Sequence, residues 1–246
     1  MADATEREVT LEKHAGWAEI TLNRPERRNA IDGPLGLHLA ECLQEASRDA
    51  SVGAVLLRGA GGAFCSGLDL KAFNAEPRPA WHAEFQTIWR GAHRALFELR
   101  PALVVALERY AINGGAALAI AGDFLVMGNN AFLQVGEVQQ GMGAPYNLAW
   151  LRLRHSAALT ARVALLGRRI QGAEAERLGL ATESVPDGEV LQRARDLAAA
   201  LGAYPAGAVA HLKQVSREFD GANADDWFDR AFQAGPAPSA SPRAND

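Results

Sequence analysis

Cysteine is almost missing from this chain. Cys42 and Cys65 are the only two in 246 residues, too few for a disulfide framework and without the spacing of zinc or thiol redox sites. A reducing compartment is the default that follows. Aromatic residues are sparse at 7%, and beside 48% hydrophobic and 22% charged residues this excludes disordered, collagenous and fibrous chains. Positive charge is not in excess: 25 Lys+Arg against 29 Asp+Glu leave a formal charge of -4. No global field therefore draws nucleic acid or anionic lipid, and an anionic ligand must be held locally. No apolar run reaches about 18 residues without polar interruption, so no membrane span is expected. The opening MADATEREVT lacks the apolar stretch of a secretory leader, and a cytoplasmic setting is the expectation. A chain of this length buries roughly 70–75% of its unfolded surface, so no staple is needed.

What is present is an alternation of strand and helix patterns. Val9 to Leu22 carries two short β-like runs about Gly16, which predicts a hairpin. Leu35, Leu39, Cys42, Leu43 and Ala46 fall at helical spacing, and Ala54 to Arg58 reads as a buried strand. A glycine-rich turn from Gly59 to Gly67 follows, then a Pro-broken loop around Glu76-Pro77-Arg78-Pro79, then a helix from about Ala80 to Leu99. A second cycle runs from the strand Leu103 to Leu107 through Asn113-Gly114-Gly115 and the small residues Ala116 to Ala121 to the strand Phe124 to Met127. This order predicts a right-handed, largely parallel α/β core, with almost purely helical periodicity from Leu148 onward. Residues 1–195 are expected to form the core and 196–235 a helical oligomerisation region. Pro236 to Asp246 has no packing pattern and is expected to be disordered.

Two glycine-containing turns each follow a buried strand: Phe64-Cys65-Ser66-Gly67-Leu68-Asp69-Leu70 and Ile112-Asn113-Gly114-Gly115-Ala116. Glycine lets the backbone approach a ligand, and a helix starting there aims free N–H groups at negative charge. Side by side, two such turns make an oxyanion hole; taken singly, each is equally a tight strand-to-helix connection. Neither matches the glycine patterns of dinucleotide or nucleoside triphosphate sites.

Taken with Leu22-Asn23-Arg24-Pro25, Asn29-Ala30-Ile31, the run INGGAALAIAGD ending at Asp123, and GEVQQGMGAP from Gly136 to Pro145, these turns occur in a telling order. From about Val9 to Phe219 the chain resembles the crotonase, or enoyl-CoA hydratase/isomerase, superfamily. The resemblance implies a crotonase-like α/β spiral of repeated β-β-α units with a helical C-terminal trimerisation region. It further implies an acyl-CoA thioester as ligand, a homotrimer or a hexamer of two trimers, and no metal or redox cofactor. By the same likeness, the N–H groups of Leu68 and Gly114 hold the thioester oxygen while an enolate forms. Ser66, Gly67, Asp69, Leu70, Lys71 and Gly115 would border the CoA thioester. Arg27 or Arg28 resembles the basic position near the CoA phosphates, although an Arg pair in a turn is as often simply solvated.

Hydratases of this superfamily use two glutamates around the double bond. Here the first falls on Ala117 and the second on Glu137, and a methyl group cannot activate water. One carboxylate suffices to take a proton from C2 of a 3-enoyl thioester and return it at C4. GEVQQGMGAPYNLAWL resembles the single-glutamate enoyl-CoA isomerases, which makes Glu137 the expected proton shuttle, its pKa raised by burial. Tyr146 stands close after it, to contact the acyl group or simply to pack. Other readings compete. Ser66 as nucleophile would need His82, His93 or His155 as base and Asp69 as acid, without a nucleophile elbow. Cys65 beside a strand is expected only to pack. An acyl-CoA binder without turnover, a hydratase with a substitute acid, and another thioester-enolate reaction stay open. Trp81, Phe85 and Trp89 at helical spacing would wall an acyl pocket or belong to the core or an interface. Trp227 to Phe232, followed by Pro236, reads as a shortened form of a closing segment that in the family reaches a neighbouring subunit.

Overall fold

The structure is a computed structural model and describes residues 7–219 and 223–233. Strands β1 (Val9–Lys13) and β2 (Trp17–Leu22) form the expected antiparallel hairpin, with Val9 opposite Leu22. Helix α1 (Gly33–Arg48) starts at Asp32, whose carboxylate accepts the Leu35 N–H at 3.0 Å. It buries the five residues whose spacing marked it. After β3 (Ala54–Gly59) and the single turn α2 (Leu70–Phe73), α3 (Phe85–Glu98) begins later than Ala80. The rings of Trp81 and His82 pack on Phe73, and His82–Glu84 forms a tight 3-10 turn instead.

The chain continues through β4 (Ala102–Leu107), β5 (Tyr110–Ile112), α4 (Gly114–Ile120), β6 (Phe124–Gly128) and β7 (Phe132–Gln134). Then come α5 (Pro145–Arg154), α6 (Ala157–Leu166), β8 (Ile170–Gln171), α7 (Gly172–Arg177) and β9 (Glu183–Val185). The last third is therefore not purely helical: β8 and β9 are two and three residues long, too short for an alternating pattern to register. Three helices close the described chain, α8 (Val190–Gly202), α9 (Ala206–Phe219) and α10 (Ala224–Gln233).

One sheet runs in the order β1-β2-β3-β4-β6-β9, parallel from β2 onward, and a second in the order β5-β7-β8. In β4–β5–α4 and again in β6–β7–α5, the first strand joins the large sheet, the second the small one, and a helix follows. The cycle after β3 reduces its second strand to one bridge, Cys65 to Ala111. This is the expected spiral. β4 is buried along its whole length because α8 covers one face of the large sheet while α1 and α3 lie in the core on the other. The boundary at residue 195 falls inside α8, which buries Val190, Ala194 and Ala198 against the sheet and so belongs to the core. Helix α10 returns onto α5 and α3 of its own chain, with the Trp227 indole donating to Ala149 O at 2.9 Å. Pro236 to Asp246 lies outside the described residues. Among the described residues, no helix is long and apolar enough to cross a membrane.

Candidate active site

The two glycine turns meet. Ile31 pairs with the first of them, its N–H donating to Gly67 O and its carbonyl accepting the Asp69 N–H, both at 2.8 Å. Strand alternation then turns the Leu68 N–H, which lies between them, away from Ile31. Gly114 opens α4, so its N–H has no acceptor within the helix. Both residues line one cavity of about 340 Å³. Gly67 has φ +89, and a Cβ there would stand 2.8 Å from Ile112 O, so only glycine allows the two turns this approach. Gly115 serves the same closeness from the other side: a Cβ on it would come within 2.7 Å of Cys65 O. Neither Gly67 nor Gly115 lines the cavity; they bring its walls together.

A carboxylate enters the cavity from the segment after β7. The 3-10 turn Glu137–Gln140 is pinned to the end of α6 by Gln134 and Gln139, whose amides both donate to Gly167 O at 3.0 Å. Glu137 is 8% exposed, and burial pushes its pKa up to about 7, against the opposing effects of its own backbone N–H and of Asn147. Its Oε1 accepts from Asn147 Nδ2 at 2.7 Å, while Oε2 has no hydrogen-bond partner. Among the described residues, Glu137 is the one carboxylate lining this cavity, and Ala117 does not line it but is fully buried in the core. Ile31, Leu70, Phe85, Trp89, Met142 and Tyr146 give the remainder a mainly apolar wall. A base of this kind beside two unengaged N–H groups can take a proton next to a carbonyl and stabilise the resulting oxyanion.

The cavity opens at Ser66, Leu68, Leu70 and Ile112 onto a wider groove of about 730 Å³. Arg27, Arg28, Lys71 and Arg169 line it against Glu26 and Asp69. The Arg27 guanidinium is held by Asp69, at 2.6 Å and 3.1 Å, and Asp69 also caps the Ala72 N–H at 3.0 Å. Burial opposes ionisation of Asp69, but Arg27 and the Ala72 N–H outweigh it and hold the carboxyl below its usual range. This acid fastens the Leu68 loop. Sequence reasoning missed Arg169, whose guanidinium lies 4.5 Å above the Phe132 ring, and it missed Asn147. Spacing puts Asn147 with Trp150 and Leu151 on one buried helical face, which marks it as buried but not as part of a site.

Trp89 and Phe85 wall the cavity, whereas Trp81 packs outside it against Phe73 and Phe85. No hydrogen bond joins Ser66 to a histidine among the described residues. His93 is fully buried, its Nδ1 accepts the Trp150 indole N–H at 2.9 Å, and burial lowers its pKa to about 3. His82 packs on Phe73, and His155 lines a separate cavity beside Asp123. Burial pushes the Cys65 thiol up to about 12, far from a reactive thiolate.

A family model described as enoyl-CoA hydratase/isomerase matches residues 12–226. A probable enoyl-CoA hydratase, echA12 of Mycobacterium bovis, is 33% identical over 195 residues, 76% of this chain and 68% of that one. The 1,2-epoxyphenylacetyl-CoA isomerase of Escherichia coli is 30% identical over 204 residues, 81% of this chain and 78% of its own. The crystal structure of a carnitinyl-CoA hydratase from Mycobacterium avium superposes with a TM-score of 0.81 at 28% identity, covering 93% of this chain and 89% of that chain.

Proposed function

The chain belongs to the enoyl-CoA hydratase/isomerase family, and from that premise we propose that it moves the double bond of a 3-enoyl-CoA to the 2-position through an enolate. The observation that carries this reading is a single carboxylate, Glu137, with a pKa near 7 in a cavity that no other carboxylate lines among the described residues, while the residue that resembles the family's first glutamate is Ala117, a core methyl. The thioester oxygen sits between the N–H groups of Leu68 and Gly114. Glu137 takes the proton from C2 and returns it at C4, so no second acid and no water are consumed. Each oxyanion donor is worth about 10²–10³ in rate, and the positioned base about 10²–10⁴. The acyl chain lies along Phe85, Trp89 and Tyr146. The CoA phosphates follow the groove past Arg28, Lys71 and Arg169, with Arg27 holding the loop through Asp69. Self-association into a trimer or a hexamer fits the exposed leucines 165, 166 and 212, and solution mass checks it.

The test is an assay of the purified protein against a 3-enoyl-CoA and a 2-enoyl-CoA, with mass spectrometry separating isomer from hydrate. Isomerised product that disappears in Glu137→Gln supports the reading. Hydrated product, or tight binding of both thioesters without turnover, overturns it in favour of a hydratase or an acyl-CoA binder.

A further inference from the structure

Asn147 stands in the first turn of α5, 1% exposed, and its side-chain amide reaches two places at once. Nδ2 donates to Glu137 Oε1 at 2.7 Å and to Asn113 O at 3.0 Å. The Asn113 carbonyl belongs to the same planar peptide unit as the Gly114 N–H. That carbonyl also accepts the Ala117 N–H at 3.1 Å as α4 begins, and the second donor from Asn147 holds its direction further and, by polarising the peptide, strengthens the Gly114 N–H as a donor. Asn113 itself holds an uncommon backbone conformation, φ 51 and ψ -113, and its Oδ1 accepts the N–H of Gly136, the residue before Glu137, at 2.9 Å. The turn that carries the oxyanion donor and the segment that carries the base are thus joined through both Asn113 and Asn147, and among the described residues only Asn147 touches both the donor peptide and the carboxylate. Meanwhile Asn147 Oδ1 is buried without a partner, a desolvation cost that an apolar residue would avoid. Packing alone is a poor reason for an asparagine here.

We propose that Asn147 is a positioning residue that ties the base Glu137 to the Asn113–Gly114 peptide, so that base and oxyanion donor keep one mutual geometry. This rests on the reaction proposed above for its catalytic consequence, though not for its effect on Glu137. Among the described residues, no charged side chain competes for control of Glu137. Tyr146 in the cavity wall and His93 behind it are both neutral, the first with its pKa raised by burial, the second with its pKa lowered. On α6, packed against the Glu137 turn, Arg162 faces Glu174.

The experiment compares Asn147→Leu and Asn147→Ser with the unaltered protein by two readouts. In the first, NMR follows the carboxyl of isotope-labelled Glu137, its signal assigned by its loss in Glu137→Gln. In the second, kcat and KM for a 3-enoyl-CoA are measured across pH. The titration midpoint of Glu137 in Asn147→Leu is expected to rise by about one pH unit, because a charge-stabilising hydrogen bond is gone. The acid limb of kcat moves with it, and kcat falls about 10- to 100-fold with little change in KM. Asn147→Ser keeps one donor and falls between; it also carries the test if the leucine variant does not fold. A midpoint and an acid limb unchanged in folded variants, with the loss confined to thermal stability or to KM, overturn the proposal. If the NMR midpoint rises while no isomer forms even in the unaltered protein, the proposed reaction fails and the role of Asn147 stands.

Discussion

Two carboxylates in this molecule, the half-buried Asp123 and the buried Glu137, titrate in opposite directions. Asp123, at the start of β6, is met by Lys213 Nζ at 2.6 Å, Arg154 Nη2 at 2.7 Å and the Leu103 N–H at 2.7 Å. Burial raises its pKa, but the two cations outweigh that and hold the carboxyl well below the usual range. Glu137 meets no cation: burial dominates, and its pKa stands near 7. Burial alone therefore does not identify a base; what faces the acid decides whether it is fixed as an ion or left able to exchange a proton near neutrality. Asp123 ties α5 and α9 to the sheet, whereas Glu137 borders open space.

The contrast is broken most strongly by Glu137→Gln, which is expected to lower turnover about 10²–10⁴-fold while leaving acyl-CoA affinity in place, read by steady-state kinetics and calorimetric titration. Asp123→Ala strands Lys213 and Arg154 and is expected to cost about 3–5 kcal/mol in denaturant unfolding, with turnover per folded molecule unchanged. The pH dependence separates the two acids further. The folded pKa of Asp123 is depressed, so its stabilisation is present above the unfolded value and is lost as pH falls through the folded one. The pKa of Glu137 is raised, so stability falls as pH climbs from the unfolded value to about 7 and stays lower above it. Glu137→Gln should accordingly be more stable than the unaltered protein at about pH 8 and not at about pH 4, by no more than a few kcal/mol, as scanning calorimetry can record. The smallest effect is expected of Ser66→Ala, which should leave turnover almost unchanged; a large loss would revive a nucleophilic serine.

The parts legible in the sequence were those with long or periodic signals. The α1 stripe, the buried runs of β3 and β4, and the paired glycine turns each occupy enough residues to show a period or a motif. Strands β5 and β7 have three residues each and are defined by their partners, so no local pattern announces the second sheet. At the site, Glu137 and the glycine turns were readable from their motifs. Asn147 was not, because its importance lies in reaching a carbonyl 34 positions away, a contact that exists only once α5 packs against α4. Arg169 reaches the groove in the same way, beside Phe132 on β7. Periodicity also misplaced the helix start at Ala80, where aromatic packing of Trp81 and His82 on Phe73 overrode helical preference.

The central claim is that Glu137 exchanges a proton at the carbon next to a thioester held by Leu68 and Gly114. It is met most directly by incubating the protein with a 3-enoyl-CoA in deuterium oxide and locating the label by NMR. The account predicts isomerised product, with deuterium entering at C4 wherever the protonated Glu137 carboxyl exchanges with solvent before it returns the proton, at rates that rise with pH through about 7 and collapse in Glu137→Gln. Bound thioester with neither isomer nor label, or isomer formed equally by the Glu137→Gln variant, would contradict it.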